Sequence, residues 1–233
     1  MNYKEALQNP IFKIISQSAK EINLDSYVIG GFVRDFILKR GDAKDIDVVA
    51  IGDGIKLARQ VAKNLPNEPN VQVFRTYGTA MILYTDIEIE FVGARKESYT
   101  ENSRNPSVEN GTLKEDQNRR DFTINALALN LKDAHFGDLL DPFNGIEDLE
   151  NKIIRTPLNP DITYSDDPLR MMRAIRFATQ LKFTIENKSL QAITKNCDRI
   201  KIITNERIVT ELNKILESKN PLLGSFYLKK QAY

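Results

Sequence analysis

Residues 29–49 read IGGFVRDFILKRGDAKDIDVV, and this stretch decides the fold. It opens on the paired glycines Gly30 and Gly31, directly after the apolar run Tyr27-Val28-Ile29. The pattern predicts a short amphipathic helix next, with Val33, Phe36 and Ile37 turned inward. A loop over 39–44 then leads into a second strand, Asp45-Ile46-Asp47-Val48-Val49. Side chains alternate faces along a strand, so Asp45 and Asp47 share one face while Ile46 and Val48 enter the core. Two neighbouring carboxylates repel each other and gain nothing from packing. A divalent cation between them removes the conflict, and hard oxygen ligands suit magnesium. Gly30 and Gly31 lack a Cβ, which lets the backbone turn sharply and approach an anion. The free N–H groups at the start of the following helix favour phosphate, and Arg34, one turn in, can reach the same group. Taken singly, a glycine pair is usually only a turn and an Asp-x-Asp strand only a solvated edge. Their tight spacing on one strand–turn–helix–strand unit favours a nucleoside triphosphate site instead.

The bulk properties bound this reading. A chain of 233 residues holds one large domain or two small ones and can bury a proper core. Hydrophobic residues make up 41% and charged residues 28%, an ordinary globular balance with no apolar run of membrane-spanning length. The start, MNYKEALQNPIFK, carries charges where a signal peptide needs an apolar core, so export is not expected. One cysteine, Cys197, rules out an internal disulfide and fits a reducing cytoplasm, and one histidine, His135, adds too little for a structural zinc site. The net charge of +1 does not announce nucleic acid, so RNA would have to be held by a local patch.

Outward from the central stretch, residues 3–20 read as a helix with Leu7, Ile11, Ile14 and Ile15 inside, and 55–65 as another, ended by Pro66. Three strands are predicted at 71–75, 79–84 and 87–92. In the third, Glu88 and Glu90 share one face; if this strand neighbours the one carrying Asp45 and Asp47, one glutamate supplies a third carboxylate. The polar run 96–118 reads as a structureless excursion. Arg119 and Arg120 precede an expected apolar helix; the arginines suit phosphate and Asp121 suits ribose hydroxyls, with Asn125 four residues on along the same helix face. The segment 137–148, GDLLDPFNGIED, is a turn-rich connector. Ser165 or Asp166 is expected to cap a helix with Pro168 in its first turn. On it, Asp167, Arg170 and Arg173 form a ridge. Asp167 can accept from an exocyclic amino group and Arg170 can donate to a ring acceptor. Cytosine and adenine offer that combination; uracil and guanine present the reverse. Helices over 189–196 and 204–218 follow, the second with Ile208, Leu212 and Ile215 inside.

Three of these segments carry a family resemblance. GGFVRDFILKR…DIDVV, RRDFTINALA and Asp166-Asp167-Pro168-Leu169-Arg170 resemble the first, second and fourth motifs of the class II tRNA nucleotidyltransferases, the CCA-adding enzymes, and of the related bacterial poly(A) polymerases. Both belong to the polymerase-beta-like nucleotidyltransferase superfamily. The resemblance implies that Asp45 and Asp47 hold catalytic Mg2+, with Glu90 the third catalytic carboxylate because of its spacing from Arg95. It implies that Gly30, Gly31, Arg34, Arg119, Arg120, Asp121, Asn125, Asp167, Arg170 and Arg173 bind nucleotide. Asp141 and Gly145 would mark a spring-like third motif, and Glu206, Arg207 and Glu211 a bracing fifth one. Asp166 stands where the family more usually has glutamate. The implied fold is α+β: a catalytic head with a small mixed sheet and helices over residues 1–140, then an all-helical neck over 141–233. The helical body and tail of complete enzymes are missing from the sequence, so a fragment that keeps the chemistry and grips RNA weakly is expected. The implied reaction is template-independent addition of C and A to tRNA 3′ ends from CTP and ATP, in the cytoplasm and away from membranes. Poly(A) or A-only addition is the alternative, and an inactive nucleotide- or RNA-binding module the third.

Overall fold

The computed structural model describes residues 1–41, 44–100 and 103–231. Two compact units emerge. The first comprises residues 1–96, 109–117 and 125–142; the second comprises 97–108, 118–124 and 143–233.

The first unit opens on a 3-10 turn, Lys4–Leu7, followed by helix α1, Pro10–Glu21. One continuous helix from residue 3 was expected. Asn9, in extended conformation, instead accepts a hydrogen bond from the Ile11 amide and Pro10 takes the first helical position, so the helix starts afresh there. Strand β1, Ser26–Ile29, leads through Gly30 into helix α2, Gly31–Ile37. Strand β2, Asp45–Ala50, helix α3, Gly54–Asn64, and strands β3, Val71–Phe74, β4, Thr79–Tyr84, and β5, Ile87–Gly93, follow close to expectation. The loop expected over 39–44 falls partly outside the described residues.

The polar excursion expected from residue 96 contains structure. Strands β6, Arg95–Thr100, and β7, Ser103–Asn110, pair as a two-stranded sheet. Helix α4, Leu113–Asn118, follows. Strands β8, Ala128–Asn130, and β9, Leu139–Leu140, complete a seven-stranded sheet of order β3-β4-β5-β2-β1-β8-β9. Its pairings are antiparallel except β2 with β5, which run parallel. The core of this unit includes Ile11, Phe12 and Ile15 from α1, Leu57 and Val61 from α3, and Ile46, Val48, Ile82, Ile89 and Phe91 from the sheet, all essentially inaccessible. Helix α3 begins against the sheet so closely that a Cβ on Gly54 would stand 2.5 Å from the Val92 carbonyl carbon.

Residues 121–126 were expected to be helical. They form only a 3-10 turn, Thr123–Asn125, before β8. Every residue from 121 to 129 is buried, and a run buried on all sides carries no periodicity that separates helix from strand.

The second unit holds helices α5, Gly145–Glu150, α6, Pro160–Asp166, α7, Leu169–Leu181, α8, Asn187–Asn196, α9, Asn205–Leu216, and α10, Pro221–Gln231. Two short strands, β10 at Ile153–Ile154 and β11 at Thr184–Ile185, add a parallel pair. Helix α7 is the hub, with ten buried residues among its thirteen, and packs against α9 and α10. Ser165 and Asp166 do not cap it. They end α6, and Asp167 breaks the chain in extended conformation before Pro168, as a residue preceding proline favours. The Asp167 carboxylate then accepts from the Leu169 amide at 3.2 Å, covering an open donor of α7. No helix among the described residues is long and apolar enough to cross a membrane.

Candidate functional site

In the first unit the site grows from β1, β2 and β5. Gly30 sits at φ 83°, ψ −131°, a conformation open essentially to glycine alone. Its amide donates to the Leu127 carbonyl at 3.1 Å, and its own carbonyl accepts from the Arg34 amide at 3.1 Å, so α2 starts at a fixed angle. Strand β2 alternates as expected: Ile46 and Val48 are buried, Asp45 is exposed and Asp47 half-buried. The register sets Ile29 opposite Asp47, which puts the glycine turn beside the aspartate pair. On the other side the parallel pairing sets Glu88 opposite Asp45 and Glu90 opposite Asp47. Both glutamates therefore share the face of the aspartates, and Glu90 is the neighbour of Asp47.

Among the described residues no three carboxylate, histidine or cysteine side chains converge tightly enough to form a metal cage. The donor set fits magnesium nonetheless. Magnesium is commonly held by one or two carboxylates, with substrate phosphates and water completing its octahedron. Asp45 and Asp47 offer that pair on an accessible face.

Arg34, expected at the triphosphate, is 8% exposed and turned into the protein. Its Nε and Nη2 donate to the two carboxylate oxygens of Asp35 at 3.0 and 2.7 Å, and its Nη1 donates to Asn125 Oδ1 at 2.6 Å. A Cβ on Gly31 would lie 3.7 Å from Arg34 Nη2, an ordinary contact, so the Arg34 arrangement does not itself require glycine there. Arg34 and Asn125, distant in sequence, thus form one buried link; Asp35 had no signal in the sequence beyond its adjacency.

In the second unit the remaining candidates surround α7. Asp121, 8% exposed, receives Arg173 Nη2 at 2.6 Å and Nε at 2.8 Å, and accepts from the Phe122 amide at 2.9 Å. Asp121 in turn holds the Arg173 guanidinium more firmly protonated than usual. Arg173 also faces Glu211 at 3.8 Å, which accepts from Arg176 Nε at 2.6 Å. Arg176 lies 4.0 Å over the Phe177 ring, and burial lowers its pKa below the ordinary arginine value. Glu211 fits its expected bracing place; Glu206 and Arg207 are exposed.

Arg170, 9% exposed, donates from Nη2 to the Arg119 carbonyl at 2.6 Å and from Nη1 to that of Thr163 at 3.4 Å. Arg119 extends its own Nη1 to Glu97 at 3.1 Å. Arg120 and Asp167 are half-buried. Sequence reasoning missed Asp148, 3% exposed, which accepts from the Thr123 hydroxyl at 2.7 Å and Arg155 Nε at 3.1 Å. Burial pushes its carboxyl above the usual carboxylate range despite these donors. Burial does the same to Asp166, against the pull of Arg170 and Arg199.

Residues 26–155 match the model of the poly A polymerase head domain. The chain belongs to this family of class II tRNA nucleotidyltransferases and bacterial poly(A) polymerases. Within this family member, residues 182–229 match a second model, described as a probable RNA and SrmB binding site of polymerase A. It is 38% identical over 205 residues to a CCA-adding enzyme of Lactobacillus helveticus, covering 86% of this chain and 48% of that one. To an A-adding tRNA nucleotidyltransferase of Aquifex aeolicus it is 36% identical over 195 residues, covering 83% of this chain and 23% of that one. The Thermotoga maritima CCA-adding enzyme, solved in complex with tRNA ending in CCA, superposes with TM-score 0.86 at 30% identity, over 100% of this chain and 54% of that one. The chain thus spans about half the length, or less, of these relatives.

Proposed function

We propose that this chain carries the catalytic head and base-selecting neck of a template-independent RNA nucleotidyltransferase. It adds C and A to tRNA 3′ ends from CTP and ATP with magnesium, in the cytoplasm. The observation that carries the reading is the register of β1, β2 and β5. It aligns Asp45 and Asp47 on one face beside the glycine turn, with Glu90 next to Asp47. Paired carboxylates that hold a divalent cation beside a phosphate-binding turn suit transfer of a nucleotide from a triphosphate.

In the first unit, Asp45 and Asp47 are the metal ligands, with Glu90 the third carboxylate. Magnesium, when bound, supplies charge neutralisation for the triphosphate and lowers the pKa of the attacking 3′-hydroxyl. Gly30 and Gly31 bring backbone N–H groups toward phosphate. Arg34 supports them by joining α2 to Asn125. In the second unit, Arg119 and Arg120 offset phosphate charge and Asp121 faces ribose, held by Arg173. Asp167 accepts from the amino group of cytosine or adenine. Arg170 has five N–H donors, and those not engaged by Thr163 and Arg119 meet the ring acceptor.

A second reading, A-only addition, is favoured by the likeness to the A. aeolicus A-adding enzyme. One experiment separates them: each NTP in turn, with magnesium, on tRNAs lacking one, two or three terminal residues, at high RNA concentration. Incorporation of C then A, stopping at CCA, supports the first reading. Incorporation of A alone supports the second. Failure of all four NTPs here, and in a version extended by the downstream helices of its relatives, overturns both in favour of a binding module.

A further inference from the structure

Asp148, on α5, has no role in the reading above, yet it is a carboxylate only 3% exposed. Its Oδ2 accepts from the Thr123 hydroxyl at 2.7 Å and its Oδ1 from Arg155 Nε at 3.1 Å. The Arg155 carbonyl in turn accepts from the Thr123 amide at 2.9 Å. Threonine, aspartate and arginine therefore close a ring of three hydrogen bonds. Thr123 is 2% exposed, so water does not compete for its hydroxyl. Arg155 completes the ring from a half-buried position, with Glu186 3.6 Å from its Nη1.

Burial raises the Asp148 carboxyl above the usual range even with both donors in place. Apolar side chains of similar volume would fill the position without that desolvation. What a satisfied polar ring adds is one permitted geometry, because each member loses its partner if another shifts. The segment it fixes is short. Thr123 lies two residues after Asp121, and Phe122 between them is wholly buried, edge-on to Phe177 at 5.6 Å. Arg173 holds the Asp121 carboxylate from α7. The ring holds the backbone behind that carboxylate from α5 and from the chain just after β10.

We propose that Thr123 and Asp148 are positioning residues for ribose recognition, fixing the backbone so that the Asp121 carboxylate meets the 2′-hydroxyl of the nucleotide. This rests on the reading of Asp121 as the ribose-facing group. Asp121 makes the contact; Thr123 and Asp148 touch no substrate. Slack of roughly 0.5 Å at Asp121 is enough to loosen such a contact.

The test is nucleotide binding without RNA, so it does not depend on turnover. ATP and dATP, each with magnesium, are titrated into the chain by isothermal titration calorimetry, and circular dichroism checks that every variant is folded. The parent should bind ATP about tenfold or more tighter than dATP, the worth of a hydrogen bond to a carboxylate. Thr123→Val, which keeps the shape and removes the hydroxyl, should cut that preference to less than about threefold. Thr123→Ser should keep it, and Asp148→Asn, which still offers an acceptor, should fall between the two. A role in stability alone would lower Tm and leave the ratio untouched. If Thr123→Val fails to fold, Arg155→Met opens the ring at a side chain 43% exposed and carries the same expectation. Asp121→Ala separates the proposal from the reading beneath it. Loss of the preference in Asp121→Ala with its retention in Thr123→Val overturns the positioning role alone. A preference that survives Asp121→Ala, or a parent that binds both nucleotides equally or neither, removes the ribose role of Asp121 and the proposal with it.

Discussion

Replacing Glu211 with leucine probes the second unit where its charge is most deeply buried. Glu211 is 4% exposed and accepts from Arg176, itself 8% exposed, at 2.6 Å, with Arg173 at 3.8 Å. Removing the carboxylate leaves the Arg176 guanidinium buried against Phe177 without its counter-ion. Breaking a buried pair by deleting one partner costs about 3–5 kcal/mol, because the survivor's desolvation is no longer offset. Gln180, which accepts from Arg176 Nη1 at 3.1 Å, softens the loss, so the lower end, about 3 kcal/mol, is expected. For a chain of this length that corresponds to a fall in Tm of about 6–12 °C. Arg176→Leu alone should cost less, since Arg173 stays near Glu211. The double variant should recover most of the loss, because a buried pair replaced by well-packed apolar side chains is often neutral. Urea unfolding of the four proteins, read as a double-mutant cycle, supplies the coupling energy. A Glu211→Leu cost under 1 kcal/mol, or a double variant as unstable as the sum of the singles, would refute the reasoning.

Asp45→Ala should lower nucleotide incorporation at least ~10³-fold, with a urea midpoint close to that of the parent because Asp45 is exposed; retained turnover would remove it from the catalytic set. Gly54→Ala should destabilise the first unit by about 2–3 kcal/mol, since the new Cβ meets backbone atoms of Val92 and Gly93 that cannot swing aside; thermal unfolding checks it. Asp166 and Asp148 titrate above the usual carboxylate range in the folded chain because burial disfavours their charge. Each binds its proton more tightly folded than unfolded. Its contribution is therefore full below the ordinary aspartate pKa of about 4 and lost as pH rises through the raised folded value. Asp166→Asn should flatten the fall in stability over that window, which unfolding at a series of pH values will register.

What could be read from the sequence was what is encoded locally. The alternation of Asp45, Ile46, Asp47 and Val48 states which side of the strand is wet, and the structure agrees. Asn9-Pro10 is also a local signal, a cap followed by a first-turn proline, but the apolar spacing of Leu7 with Ile11 masked it. Residues 121–129 defeated the periodic reading because they are buried on every side. The Asp167-Pro168 junction was misplaced because Ser165, Asp166 and Asp167 are all residue types that cap helices, and nothing in their order tells that the first two finish α6 while Asp167 covers the start of α7. The union of Arg34 with Asn125, and of Asp148 with Thr123, depends on chain reversals that no spacing announces. Arg34 illustrates the cost: one turn into a helix after a glycine pair it looks available to a ligand, yet much of its guanidinium is engaged by Asp35 and Asn125.

The alternation along β2 also guards against a particular misfolding error. A slip of one residue against β1 or β5 would turn both aspartates into the apolar layer and push Ile46 and Val48 into water. Such an isomer could not persist, because the displacement that ruins the chemistry also destroys the packing around it. A pool of well-folded, catalytically dead molecules differing only in strand alignment should therefore not accumulate. The active fraction of a preparation should track its folded fraction, and apolar-to-polar changes at Ile46 or Val48 are the substitutions that would uncouple the two.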